Sequence, residues 1–441
     1  MLLEQTVEIK EQYRRKFVTA EEAVQIIKSG DRVYMHPGCA FPQVLADAMA
    51  ARKNELYDVE VCHLLGIGDV AYTAPGMEKH FRHNAFFIGG NARSAVQEGR
   101  ADFTPIFLSE VPWFLKNLHK PDVALIQVSP PDKRGFCSFG VGVETTKAAT
   151  EVAKYIIAQV NHQMPRVYGD CFIHLDKIDF CVEVDVPLNE APMVDSKKQA
   201  DMDIFAKIGE NVATLVEDEA CLQMGIGSIP DAVLACLKDR KHLGIHSEMF
   251  SDGIIPLVES GVITCEKKTL LKNKIVSSFV LGTKKVFDFI DNNPEVEFRP
   301  TEFVNDPFTI ARNKKMTAIN SALSVDLTGQ VCSDSIGFNF YSGFGGQVDF
   351  LRGAAKSEGG KPIIALPSTA KNGTISRLVP HLELGAGVTD SRGDVHFVVT
   401  EYGVADLHGK TIRQRTKMLI QLAHPKFREE LEKFAKEHKY L

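Results

Sequence analysis

CLQMGIGSIPDAVLACLKDRKHLGIHSEMF, residues 221–250, reads as strand, tight turn, helix and second strand, ending in an acidic residue inside an apolar run. Cys221–Met224 is a short apolar run of buried-strand length, and Gly225-Ile226-Gly227-Ser228 permits backbone angles that most residues resist. Ser228 is expected to cap a helix, Pro230 suits its first turn, and Asp231–Lys238 carries apolar positions at helical spacing. The free N–H groups at that helix start would attract a phosphate or another anion. Leu243–His246 reads as the next strand, which puts Ser247 and Glu248 at its C-terminal end, where open α/β sheets place ligands and chemistry. The dinucleotide fingerprint fails here at its third glycine, and no G-x-x-x-x-G-K-[ST] phosphate-binding loop occurs. On its own, the turn therefore also reads as a purely structural βα connection.

Working outward, the 441 residues, 44% hydrophobic and 24% charged, suit a soluble globular protein with two or three domains' worth of core. A net charge of −6 argues against nucleic acid or an anionic membrane as the main partner. The nine cysteines are scattered without a CxxC pair, which favours reduced, buried thiols over disulfides or zinc. The N-terminal MLLEQTVEIKEQYRRKF has no apolar signal core and no run reaches membrane-spanning length, so a cytoplasmic protein is expected.

Sliding VYMHPGCAFPQVLADAMAARK (33–53) by 188 positions lays it over CLQMGIGSIPDAVLACLKDRK (221–241). Pro42 meets Pro230, Arg52 meets Arg240 and Lys53 meets Lys241, and both copies share the order strand, Gly/Pro turn, helix, Arg-Lys, strand. Two related α/β halves are the preferred reading, chance recurrence of a common βα unit the alternative. A capping box at Thr19–Glu22 opens a helix ending near Gly30. Strands are expected at Arg32–Met35, Val59–Leu65, Phe86–Ile88, Ala124–Val128 and Tyr155–Val160, implying a mainly parallel sheet. In the second half they are expected at Ser278–Leu281, Thr317–Ile319, Pro362–Leu366 and Phe397–Thr400, with closing helices at Ile412–Ala423 and Phe427–His438. The junction is expected near Pro187–Lys198, dividing the chain into domains 1–190 and 191–441. Ile204, Phe205, Ile208, Val212, Leu215 and Val216 make a helical stripe of core type.

Several residues invite chemistry. His80-x-x-His83 has helical ligand spacing but no matched third ligand, and satisfied surface histidines are the expected case. Cys137 has no visible base, and no G-x-S-x-G elbow occurs. In YSGFGGQVDFLRG (341–353), Gly343, Gly345 and Gly346 would let backbone amides approach a ligand closely, or simply make a tight turn. Glu248 sits among Ile245, His246, Ser247, Met249 and Phe250, where a carboxylate is costly unless used or paired. It reads as a nucleophile or general base, or else as a buried, salt-bridged glutamate; Glu401 in VVTEYGVADLHGK is its rival.

GIGSIPDAVL, GIHSEMFSDG, SGFGGQVDFLRG and VVTEYGVADLHGKT, with SPPDKRGFCSFG and VYGD, closely resemble the CoA-transferases typified by 4-hydroxybutyrate CoA-transferase. That family also holds butyryl-CoA:acetate transferases and acetyl-CoA hydrolases, and the resemblance runs over essentially the whole chain. It implies two similar open α/β domains with mainly parallel sheets and the active site between them. Residue by residue, it implies Glu248 as the catalytic glutamate, Gly225, Ile226, Gly227, Ser228 and Ile229 as the first CoA-binding turn, and Gly346 and Leu323 as further CoA contacts. Gln223 and His246 flank these positions without an assigned role. The implied reaction is a double displacement through a glutamyl-CoA thioester. It moves CoA between a short-chain acyl-CoA and a carboxylate such as acetate, with no metal and no cofactor besides the CoA thioester substrates. A homodimer is implied as well.

A hydrolase of the same family shares the glutamyl intermediate and differs in whether water reaches it. A non-catalytic CoA-binding protein is the reading from another class, disfavoured by Glu248 beside both Gly-rich motifs. A nicotinamide-dependent oxidoreductase is disfavoured by the failed fingerprint. The choice of acid stays open, because a pocket separates short acids by only ~1–3 kcal/mol per methylene.

Overall fold

The structure, a computed structural model, describes residues 11–191 and 199–441. They form two units, drawn from Met1–Ala191 with Val276–Phe303, and from Pro192–Ile275 with Val304–Leu441. A single division at residue 190 thus misses that Val276–Phe303 belongs with the first unit. The expected junction at 187–198 lies, from residue 192 onward, outside the described residues.

In the first unit, seven strands make an all-parallel sheet: β1 (Arg32–Met35), β2 (Val59–His63), β3 (Phe81–Ala85), β4 (Asp102–Phe103), β5 (Val123–Val128), β6 (Tyr155–Asn161) and β7 (Phe180–Val184), in the order β7-β6-β5-β1-β2-β3-β4. All six residues of β5 are buried, as expected of a strand covered on both faces. Val33, Met35, Leu45, Met49, Val61, Phe81 and Leu125 share one core. The Thr19 capping box is present and opens a helix at Ala20–Ala23 that continues as a 3-10 turn to Ile26.

The expected strand at Phe86–Ile88 is displaced, for the strand is β3, five residues earlier. Its polar residues hid it: Arg82 pairs with Asp102 on the exposed side, and the buried Asn84 donates to Glu60 at 2.9 Å, so the strand's polar side chains find partners across the sheet. The apolar run AFFIGG mostly forms the chain leaving the sheet. Likewise the strand expected at Ser278–Leu281 shortens to Phe279–Val280, preceded by Ile275–Ser277.

In the second unit, β8 (Cys221–Met224), β9 (Gly244–Ile245), β10 (Met316–Asn320), β11 (Lys361–Ala365), β12 (Phe397–Thr400) and β13 (Gly403–Asp406) run in the order β9-β8-β10-β11-β12-β13. All neighbours are parallel except the final β12–β13 pair. β1 lies between β2 and β5, and β8 between β9 and β10. Each strand therefore pairs with the next strand along the chain on one side and a later one on the other, which supports the internal repeat. Helices α1 (Gln199–Ala213), α2 (Ser228–Ala235), α3 (Gln347–Lys356), α4 (Ile412–Leu422) and α5 (Pro425–Glu437) belong to this unit, and its core gathers Val325, Leu351, Ile364, Val398, Leu419 and Leu431.

Candidate active site

β8 ends at Met224, and the chain turns through Gly225–Gly227 into α2. Gly227, not Ser228, is the N-cap: it has φ 106°, where a side chain is strained, and Ser228 is the first helical residue. Ile226 is exposed at the turn, whereas Ile229 is buried behind it. The start of this turn is tied to the end of β9, because the buried Ser247 hydroxyl lies 3.3 Å from the Met224 carbonyl and 2.6 Å from that of Met249. Glu248 therefore emerges beside the Gly-Ile-Gly turn. At the neighbouring strand ends, Gln223 and Asn320 exchange amide hydrogen bonds at 3.2 and 3.0 Å.

His246 is fully buried, and its Nε2–H donates to the Val304 carbonyl at 2.9 Å, which pins the residue before Asn305 to the segment carrying Glu248. Burial and the nearby Lys268 cation press its pKa down to about 3, so the ring is neutral. Asn305 in turn donates its side-chain N–H to Glu248 Oε2 at 2.9 Å. The Gly346 N–H, at the N-cap of α3, also donates to Glu248. A methyl group on Gly346 would overlap both the Glu248 carboxylate and the Asn305 amide.

Ile245, Ser247, Met249 and Phe250, the chain neighbours of Glu248, are all buried, and Glu248 itself is partly buried. Burial raises the Glu248 pKa to about 7, against the lowering pull of the Asn305 and Gly346 donors. Glu401, the rival, is held elsewhere: its two oxygens accept from the Ser368 N–H at 2.9 Å and the Ser368 hydroxyl at 2.5 Å. Leu323 lies at the base of the hairpin formed by Ser324–Asp326 and Val331–Cys332, its N–H donating to the Cys332 carbonyl at 2.8 Å.

Other candidates fall away. His83 is a buried core residue, not a surface one, with Nδ1 2.9 Å from the Val61 carbonyl and its ring stacked on His63 at 4.4 Å. His80 is bonded to the Leu56 carbonyl. Among the described residues, no group of three His, Cys, Asp or Glu side chains is placed to hold a metal. Cys137 is fully buried and its thiol pKa is pushed far up, the reverse of an activated nucleophile. Asn305 was not singled out in the sequence: PTEFVNDPF carries no motif, and only the fold brings it to Glu248.

Residues 1–191 match the acetyl-CoA hydrolase/transferase N-terminal domain, and residues 282–435 match the C-terminal domain of that name. The chain belongs to the acetyl-CoA hydrolase/transferase family. It is 53% identical to 4-hydroxybutyrate coenzyme A transferase of Clostridium kluyveri, over 96% of this chain and 98% of that one. It is 50% identical to the succinyl-CoA:acetate/propanoyl-CoA:succinate CoA transferase of Fasciola hepatica, over 94% and 86%. Among solved structures, RipA of Yersinia pestis superposes with a TM-score of 0.92 at 35% identity, covering 97% of this chain and 99% of RipA. Within the acetyl-CoA hydrolase/transferase family, this protein is an enzyme of the CoA-transferase kind. Among the described residues, no helix is long and apolar enough to cross a membrane.

Proposed function

We propose that the enzyme moves CoA between a short-chain acyl-CoA, 4-hydroxybutyryl-CoA or butyryl-CoA, and a carboxylate such as acetate, with Glu248 as the covalent nucleophile. The observation that carries this reading is the carboxylate of Glu248, set at a strand end between two neutral N–H donors, Asn305 and Gly346. Glu248 attacks the acyl carbonyl and expels CoA thiolate, leaving an acyl-glutamyl anhydride. The thiolate adds to the glutamyl carbonyl, the first acid leaves as its carboxylate, and Glu248 holds CoA as a thioester. An acceptor carboxylate attacks that thioester and again releases thiolate. Attack of the thiolate on the acceptor's carbonyl then yields the new acyl-CoA and frees Glu248. The same two N–H groups are suited to bear the oxyanions formed at the glutamyl carbonyl.

The Gly225–Ile229 turn, with its free N–H groups and Gly227 conformation, suits the phosphates of CoA, and Gly346 and Leu323 are taken as further CoA contacts. Binding energy from those remote parts of CoA can drive the uphill anhydride step. The reading calls on no metal and no cofactor besides the CoA thioesters. A reducing cytoplasm suits nine free cysteines, and a homodimer is what the family resemblance implies.

Hydrolysis is the second reading, since water can attack the same thioester; the buried apolar chain neighbours of Glu248, Ile245, Met249 and Phe250, favour transfer. Mass spectrometry of the protein mixed with butyryl-CoA, with and without acetate, separates them. A CoA adduct on the Glu248 peptide, discharged by acetate to acetyl-CoA and absent in Glu248→Ala, is expected. Equal discharge by water alone would make it a hydrolase, and normal turnover by Glu248→Ala would remove Glu248 from the role.

A further inference from the structure

The Gly-rich segment that delivers the Gly346 N–H is fastened at both ends to one small scaffold. At its start, the N–H groups of Tyr341 and Ser342 donate to the Asp334 carbonyl at 2.7 and 3.1 Å, and the Ser342 hydroxyl donates to the Ser333 carbonyl at 3.2 Å. At its end, Gln347, the first residue of α3, donates through Nε2 to Ser333 Oγ at 2.8 Å and to Asp390 Oδ2 at 2.6 Å. Ser333 and Asp390 are themselves joined, since Ser333 N–H donates to Thr389 Oγ1 at 2.8 Å and Val331 N–H to the Asp390 carbonyl at 3.1 Å. Asp390 is completely buried, with Asp334, Asp394 and Arg352 as the charges around it. Its Oδ1 has no hydrogen-bond donor among the described residues.

A carboxylate buried so completely is costly, and a neutral side chain would fill the space more cheaply unless the acceptor has work to do. Its position suits such work, because Oδ2 grips the first residue of the helix whose N-cap contacts Glu248. We propose that Asp390 is a positioning residue for CoA transfer: through Gln347 it holds the first turn of α3 so that the Gly346 N–H stays aimed at the Glu248 carboxylate. The inference rests on Glu248 being the residue that carries CoA.

The test is single-turnover formation of the Glu248 thioester from butyryl-CoA, measured on the full chain beside acyl-CoA affinity and thermal melting. Gln347→Glu sets two carboxylates face to face and is expected to slow thioester formation roughly ten- to a hundredfold, with acyl-CoA affinity unchanged. Adding Asp390→Asn supplies an amide donor to the new carboxylate and should restore most of the rate. If Gln347→Glu reacts as fast as the wild type, loses only acyl-CoA affinity, or is not rescued by Asp390→Asn, the inference is overturned. A wild type that forms no thioester would instead overturn the underlying assignment of Glu248.

Discussion

Asn305 Nδ2 lies 2.9 Å from Glu248 Oε2, a hydrogen bond across 57 positions of sequence. It brings a neutral donor to a carboxylate whose burial raises its pKa, so it favours the charged form without the permanent neutralisation an arginine or lysine would impose. Removing it has two separable effects. Asn305→Ala should lower the rate of thioester formation by on the order of a hundredfold, the usual loss for one oxyanion donor. It should also move the Glu248 titration to higher pH, which a pH profile of the first half-reaction reads directly.

The pH dependence of the parent enzyme has a definite sign. With Glu248 as the proposed nucleophile, only its carboxylate form could attack, and its pKa is raised to about 7, so kcat/KM for the acyl-CoA should climb as pH rises through that value and then level. A profile already flat from pH 5 upward would contradict it.

Stability should run the other way. With a folded pKa near 7 and an ordinary unfolded value of 4.5, the native state binds more protons between the two, so this group's contribution falls as pH rises across that window. Glu248→Gln, which cannot ionise, is therefore expected to melt above the wild type at pH 8, with the gap narrowing toward pH 5. Differential scanning calorimetry at the two pH values checks this.

Gly346→Ala tests sterics without backbone strain. Gly346 has φ −98° and ψ 6°, open to any residue, but the added methyl would overlap Glu248 and Asn305. The variant should fold and still lose roughly a hundredfold or more in turnover through displacement of the carboxylate proposed to react.

Gly227→Ala tests the opposite case, in which conformation is the constraint. At φ 106° a Cβ is strained, so the substitution should cost about 1–3 kcal/mol and, with this turn as the proposed CoA-binding site, weaken acyl-CoA binding. Calorimetric binding of CoA to the variant and wild type is the measurement.

Much of this was legible along the chain. The run from Cys221 to Phe250 announces strand, turn, helix and strand, because strand burial, glycine conformation and helix periodicity are local properties. The same logic marked β1, β8 and β12 and pointed to Glu248 at a strand end. It failed at β3, whose polar residues are paired across the sheet, and at His83, whose burial is set by strands it does not belong to.

What the sequence by itself determined is the two-part α/β organisation, the kinship with CoA-transferases and the position of the acidic residue. What only the tertiary structure decided is the company that residue keeps: Asn305 beside it, His246 locking the neighbouring Val304 carbonyl, Gly346 touching it, and Asp390 behind Gln347. The physical reason is that a pKa and a hydrogen bond depend on distances across space. Residues far apart in the chain acquire those distances only when the fold brings a strand end, the loop between two helices and a helix N-terminus together.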